Sequence, residues 1–389
     1  MISTRMTYEK ALSFARELAL SVGRRAADAE AGRRLHEETI AELVDTGLVR
    51  LLTPARFGGH ELSFHAYVDS TLEVAKGDAS AGWCYSFFVM HSWMLAQFPL
   101  PAQQDVWREN PDALITTSFV PAGSVTEAPG GYILNGNWPW SSGVDHSSWC
   151  MVGGLLPGDG PPQMALFLLP RSDYEIVDTW FVAGLNASGS KNVLARGVFV
   201  PAHRMVRLMD IRDGHGPGTA ENTSALSNRP FFTAAGPGFV APLLGATLAA
   251  YGIWCDACRN KFTAFTGEEL SSFSHVRIRV AEVEAEIQTA RLFLQENLDV
   301  VTSGRVIRLE ERFRCARNVA YIAKCCVSAM ERMYLSSGGS ANYLSNPLQR
   351  SWRDIHAMAA HAGLSFESAG EHFGRAELGL PPNPRMAFF

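Results

Sequence analysis

Eleven histidines and seven cysteines are the side chains of this 389-residue sequence best suited to moving protons, electrons or metals. His91 lies inside Phe87-Phe-Val-Met-His-Ser-Trp and His361 at the head of His361-Ala-Gly363, and by itself a lone histidine on a helix is more often a satisfied structural residue. An imidazole titrating near 6.5 serves as acid or base close to neutral pH. His356 lies about 140° around a helix from His361, so the pair shares no metal-binding face. No HExxH or carboxylate-rich cluster occurs elsewhere, and no metal is expected. Cys255-Asp-Ala-Cys258 has CxxC spacing but sits in a run of helical period without a second ligand pair, which reads as core packing. Gly236-Pro-Gly-Phe-Val-Ala241 fits GxGxxA, yet no buried strand precedes it and Pro242 adjoins it. It reads as a glycine-opened helix start, and NAD(P)H binding of the usual kind is not expected.

The elements that must hold these groups change texture along the chain. From Tyr8 to Val22 and from Glu37 to Leu48, apolar residues recur every three or four positions, and a third apolar helix is expected over about Ala79 to Phe98. If that segment is helical, Trp83 lies two turns before His91 on one face. Residues 1–110 therefore read as a helical domain. Residues 111–210 carry short β-rich runs separated by turn signals such as Pro129-Gly-Gly131, and read as a β domain. Residues 211–230, opening on Asp213-Gly-His-Gly-Pro-Gly, are expected to be a functional loop or lid, and 231–389 a second, larger helical bundle. Helix, β, helix in that order excludes a doubly wound sheet.

Hydrophobic residues make up 47% and charged residues 19%, so a sizeable core is affordable. With 34 Lys and Arg against 39 Asp and Glu and no basic run, neither nucleic acid nor an anionic membrane is expected as a partner. The apolar stretch Phe239 to Trp254 is interrupted by Pro242 and too short for a spanning helix. Charges at Arg5, Glu9, Lys10, Arg16 and Glu17 leave no export signal, so a cytoplasmic protein with free thiols is expected.

Four local patterns in this order resemble the acyl-CoA dehydrogenase fold over essentially the whole chain. Asn135-Gly-Asn-Trp-Pro-Trp-Ser-Ser-Gly143 is similar to the strand whose aromatic and hydroxyl face the flavin. Gly184-Leu-Asn-Ala-Ser-Gly-Ser-Lys-Asn192 followed by Val198-Phe-Val-Pro201 resembles a characteristic strand pair. Arg259-Asn-Lys-Phe262 resembles the segment that meets the flavin phosphates, and Ser337-Gly-Gly339 resembles the turn that touches the ADP portion, often from a neighbouring subunit. The implied fold class is α+β, mainly α: an N-terminal helical domain, a middle β-barrel or sandwich domain and a C-terminal four-helix bundle, in a homotetramer.

One departure points to a branch of that fold. The dehydrogenases follow their Arg-Asp helix with a Tyr-Glu-Gly segment whose carboxylate removes the α-proton. Here Arg353-Asp354 leads to His361-Ala362-Gly363, and Ala362 stands in the carboxylate's place. Glu269, Glu282 and Glu284 read as solvated helix charges. His361 with His91 instead resembles the two-component, reduced-flavin-dependent monooxygenases.

That resemblance implies reduced FAD, with FMN as an alternative, supplied in trans by a separate NAD(P)H-flavin reductase. It also implies O2 addition to give a C4a-hydroperoxyflavin and hydroxylation of an apolar phenol- or indole-type substrate. N-oxygenation of an amine, an acyl-CoA dehydrogenase or oxidase, and a redox-silent binding subunit are the alternatives. The implied catalytic residues are His361, Ser142, Ser141 and His91, with Ser142 favoured over Ser141 near flavin N5 because neighbours in a strand face opposite ways. Trp140, Thr117, Ser118, Arg259, Phe262, Gly338 and Gly339 are the implied flavin contacts, and Trp83, His91 and His361 the implied substrate contacts.

Overall fold

A computed structural model describes residues 5–222, 224–263, 266–381 and 383. The first apolar stripe becomes α1 (Tyr8–Gly32), capped by the Thr7 hydroxyl and burying Ala11, Ala15, Leu18, Val22, Ala26 and Ala29. It is followed by α2 (Glu37–Asp45), α3 (Phe64–Gly77), α4 (Ala79–Leu95) and α5 (Leu100–Trp107). Every residue of α4 is buried, as suits a helix apolar all round that runs through the centre of a fold. Its first turn is fastened by the Asp78 carboxylate, which accepts from the Ala81 N–H at 2.8 Å.

The β-rich runs form β1 (Ile115–Ser118), β2 (Gly123–Ala128), β3 (Gly131–Ser141), β4 (Trp149–Leu156), β5 (Gln163–Pro170), β6 (Glu175–Val177), β7 (Lys191–Pro201) and β8 (Met205–Arg207). They lie in two four-stranded sheets, ordered β1-β4-β5-β8 and β2-β3-β7-β6, with β1 and β4 parallel and the other pairs antiparallel. On β5, Ala165, Phe167 and Leu169 meet Trp138 and Val193 between the sheets, while Leu166 and Leu168 join the helical core. Burial on both faces is why this strand reads as an unbroken apolar run.

After α6 (Leu208–Arg212), the chain reaches α7 (Phe231–Asn260), α8 (Ser274–Thr302), α9 (Leu309–Ser336), α10 (Pro347–Ala359) and α11 (Phe366–Glu377). The polar stretch between α6 and α7, expected as a loop or lid, is a strap fastened along the end of α4. Asn222 Nδ2 donates to Ala96 O at 2.7 Å, Leu226 O accepts from Trp93 Nε1 at 2.9 Å, and Arg229 donates to Arg305 O at 2.8 Å.

α7 packs against α3, α4, α8, α9 and α10. It is long and apolar enough to cross a membrane by composition, but 67% of its apolar window is buried inside the fold, as in a core helix. The GxGxxA stretch lies within it, five residues past its first residue rather than at a helix start. A Cβ at Gly238 would stand 2.0 Å from Tyr67 Oη, and Gly238 O accepts from Ser86 Oγ at 2.7 Å. The glycine thus serves the close approach of α7 to α3 and α4. Cys255 and Cys258 are free thiols near the end of the same helix, and burial raises the pKa of both, the opposite of an activated redox pair.

Candidate active site

Residues four apart on a helix share a face, and α4 uses that spacing to present Trp83, Phe87 and His91 together. Their rings follow one another at 4.7 and 5.3 Å between centroids. From α7, Phe239 packs edge-on against Phe87 at 5.4 Å. α10 ends at Ala359, and the next turn delivers His361, whose ring lies 4.9 Å from Phe239, 5.6 Å from Trp83 and 6.4 Å from Phe87. The β domain closes the group: Trp83 Nε1 donates to Ser142 Oγ at 3.2 Å, just past the end of β3. Residues from both helical regions and the β region therefore converge on one aromatic cage.

Each imidazole has its tautomer set by backbone. His91 Nδ1 lies 2.8 Å from Ile115 O, a pure acceptor, so Nδ1 carries the proton and Nε2 keeps a lone pair. His361 is reversed: its Nδ1 accepts from the Gly363 N–H at 3.1 Å, which leaves the proton on Nε2. Burial pushes the pKa of both down to about 4, so both are neutral at pH 7. Kept neutral, His361 has an N–H to donate at Nε2 and His91 a lone pair to offer at Nε2.

A stability prediction follows. Between pH 6.5 and about 4 the unfolded chain binds protons that the folded histidines refuse, so stability falls as pH drops through that window. Urea midpoints measured across it should show this slope, and His91→Asn should make it shallower by removing one of the two groups.

Ser141 and Ser142 part company because the strand is irregular there. The β3–β7 register shifts between Trp138 and Ser141, and Trp140 adopts φ 65°, a left-handed conformation costly for a bulky residue. Ser141 is fully buried next to Cys150, whereas Ser142 turns to Trp83. Ser141 thus lies outside the cage. Trp140 is 63% exposed, leaving a strained, open indole two residues from Ser142. On β1, Thr117 and Ser118 are buried with hydroxyls that lack a protein partner, while Thr116 Oγ1 between them and Ile115 donates to Ser142 O at 2.8 Å. Buried orphan hydroxyls cost about 1–3 kcal/mol each, which a ligand with polar edges would relieve.

Behind Ser142 stands a residue that pattern reading passed over. Ser190 Oγ lies 2.8 Å from Ser142 Oγ and 2.7 Å from Ser188 Oγ. Its loop is held by α10: Leu185, at φ 57°, donates its N–H to Asp354 Oδ1 at 2.7 Å, and a Cβ at Gly184 would lie 2.2 Å from Arg353 O. Burial raises the Asp354 pKa to about 7. Arg353 pairs with Glu30 at 2.6 Å. The only sequence signal for Ser190 was its place in the Gly184–Asn192 pattern.

Ala362 is exposed beside His361 and brings no carboxylate to the cage. Glu269 is exposed, Glu282 pairs with Arg332 at 3.0 Å, and Glu284 lies beside Tyr251. Among the described residues, no group of three or more His, Cys, Asp or Glu is placed to hold a metal.

Arg259, Phe262, Gly338 and Gly339 form a second group, away from the cage. Lys261 Nζ lies 3.3 Å from Ser340 Oγ, which joins the end of α7 to the glycine turn. Arg259 pairs with Asp256 at 2.6 Å, Phe262 is 62% exposed, and a Cβ at either glycine would meet nothing within 4 Å. Phe239, which touches His361, and Arg259 are separated along α7 by about 30 Å at 1.5 Å per residue.

Two family models match the chain: Acyl-CoA dehydrogenase, N-terminal domain, over residues 3–109, and Acyl-CoA dehydrogenase, C-terminal domain, over residues 237–366. The chain is 35% identical to the flavin-dependent monooxygenase oxygenase subunit HsaA of Mycobacterium tuberculosis over 360 residues, 91% of each protein. It is 33% identical to the oxygenase component of the FADH(2)-dependent resorcinol hydroxylase of a Rhizobium species, covering 91% of this chain and 90% of that protein. The crystal structure of the Mycobacterium tuberculosis HsaA monooxygenase superposes with a TM-score of 0.92 at 33% identity, over 98% of this chain and all of the other. With an aromatic cage that holds two histidines and no carboxylate, and with these likenesses over nearly its full length, the chain belongs to the flavin-dependent monooxygenases, as an oxygenase component built on the acyl-CoA dehydrogenase fold.

Proposed function

We propose that this oxygenase component hydroxylates a small, apolar phenol, taking reduced FAD from a separate NAD(P)H-flavin reductase. The observation that carries this is the pair of neutral imidazoles of opposite polarity in one aromatic cage: His91 offers a lone pair and His361 an N–H. The resorcinol hydroxylase among the relatives supports the phenol class.

The residues present fit a flavin. Trp140 offers an open indole face for the ring, Ser142 a hydroxyl for its N5 edge, and Thr117 and Ser118 hydroxyls for its polar rim. When bound, reduced flavin activates O2. The protein's part is to orient the substrate and exclude water, which the rings of Trp83, Phe87 and Phe239 do. His91 accepts a hydrogen bond from the phenol O–H, which places the ring and enriches its ortho carbon. With a pKa near 4, it orients the hydroxyl without taking the proton outright. His361 donates from Nε2 to oxygen in the cage. Incubating the enzyme and reduced FAD with matched phenols, indoles and tertiary amines tests the class: ring-hydroxylated phenol is the expected product, and an N-oxide as the main product would overturn it.

Assembly enters through the second group. Arg259 lies about 30 Å along α7 from Phe239 and, through Lys261 and Ser340, next to the glycine turn, which favours a reading in which this group serves a flavin held by a neighbouring copy. Sharing of that kind needs more than one copy, and the assembly proposed is a homotetramer with a native mass four times 42.5 kDa. Arg259→Glu should then weaken FAD binding about tenfold and leave FMN binding within about twofold, because only FAD extends to the neighbour's arginine. Equilibrium titration with both flavins checks this.

A further inference from the structure

The hydroxyls behind Trp83 form a chain whose direction follows from its far end. Ser188 Oγ lies 2.8 Å from Leu185 O, which can only accept, so the single Ser188 hydroxyl proton is committed there. Ser190, 2.7 Å from Ser188, must then donate to Ser188. Ser142, 2.8 Å from Ser190, must in turn donate to Ser190. From the cage side, the Trp83 indole N–H donates to Ser142 at 3.2 Å. Every proton in the series points away from the cage, and Ser142 is left with a lone pair to offer and no proton.

The links are sheltered. Ser188 and Ser190 are 1% and 3% exposed, so water does not compete for them. Gly143 N–H donates to Ser188 O at 2.8 Å and Thr116 Oγ1 to Ser142 O at 2.8 Å, which pins both ends of the series to the backbone around the cage.

We infer that Ser190 is a positioning residue that holds Ser142 as a hydrogen-bond acceptor, and that the site thereby selects the reduced flavin ring over the oxidised one. The inference rests on the proposed placement of flavin N5 at Ser142. Reduced flavin carries an N–H at N5, which meets the free lone pair of Ser142. Oxidised flavin has a bare acceptor at N5, which would set lone pair against lone pair in a buried site. An oxygenase fed by a separate reductase gains from this selection, because spent flavin leaves and reduced flavin replaces it.

The test compares equilibrium binding of oxidised FAD in air with that of reduced FAD under anaerobic conditions, in the parent, Ser190→Ala, Ser190→Thr and Ser188→Ala. In the same proteins without flavin, the Trp83 indole N–H resonance is followed by NMR after assignment with Trp83→Phe. The parent should prefer reduced FAD. Ser190→Ala should lose about tenfold of that preference and shift the Trp83 resonance, because the Ser142 proton is released to turn, whereas Ser190→Thr should keep both. Ser188→Ala, which frees the Ser190 proton to reverse, should lose about threefold and gives a second reading should Ser190→Ala fail to fold.

An unchanged binding ratio with an unchanged indole resonance overturns the inference. A shifted resonance with an unchanged ratio also overturns it, and locates the failure in the placement of N5 at Ser142 and not in the hydroxyl series.

Discussion

His361→Ala is expected to lower single-turnover hydroxylation by about 10²-fold or more, while reduced FAD is still consumed and O2 is released as hydrogen peroxide. The reason is geometric and electrostatic together. His361 sits among Trp83, Phe87 and Phe239 with its proton on Nε2, while His91, the cage's other imidazole, has its one N–H turned to Ile115 O. His361→Asn, which restores a side-chain N–H without restoring a base, should recover part of the rate. An alanine variant that hydroxylates at the parental rate would remove His361 from the chemistry, and equal failure of alanine and asparagine would assign it the role of base instead.

Ser142→Ala should have the second largest effect, and on a different step. Mixing the enzyme and reduced FAD with oxygen, in the absence of substrate, should give a delayed return of oxidised-flavin absorbance in the parent. In Ser142→Ala the delay should shorten by about 10- to 100-fold if the half-buried Ser142 hydroxyl stands at the flavin's N5 edge as proposed, since that acceptor is removed and the Trp83 N–H is left without a partner. Trp83→Phe, which keeps the ring and drops the N–H, should shorten it less. A delay unaltered in Ser142→Ala would place the hydroxyl outside the flavin's reach.

Much of this arrangement was legible because it depends on local period. The spacing of Trp83 and His91 reads as one helix face, and the element types change near 110 and 230 as the sequence texture does. The missing carboxylate at Ala362 is also visible by residue type. What escaped depends on contacts between distant segments. Strand alternation separates Ser141 from Ser142, but the left-handed Trp140 and the shifted register that turn them are backbone irregularities without a local signature. Ser190 matters through a hydroxyl 48 residues away. The GxGxxA match misleads because Gly238 answers to Tyr67 on another helix.

The histidine roles show the same limit. Residue type marks both as acid or base candidates, yet their tautomers follow from Ile115 O on β1 and the Gly363 N–H, and their low pKa from burial. Arg259 and the glycine turn were recognisable by pattern, but the separation of Arg259 from the cage follows from the length of α7, which local pattern does not place in space.

The most direct test is a single turnover under ¹⁸O2 with anaerobically reduced FAD, the parent enzyme and a panel of small phenols, with product and peroxide analysed by mass spectrometry. Insertion of one ¹⁸O atom into the ring of a phenol, lost in His361→Ala, is the predicted result. Release of all the ¹⁸O as hydrogen peroxide with every phenol, together with reduction of enzyme-bound oxidised FAD by an acyl thioester, would contradict the account.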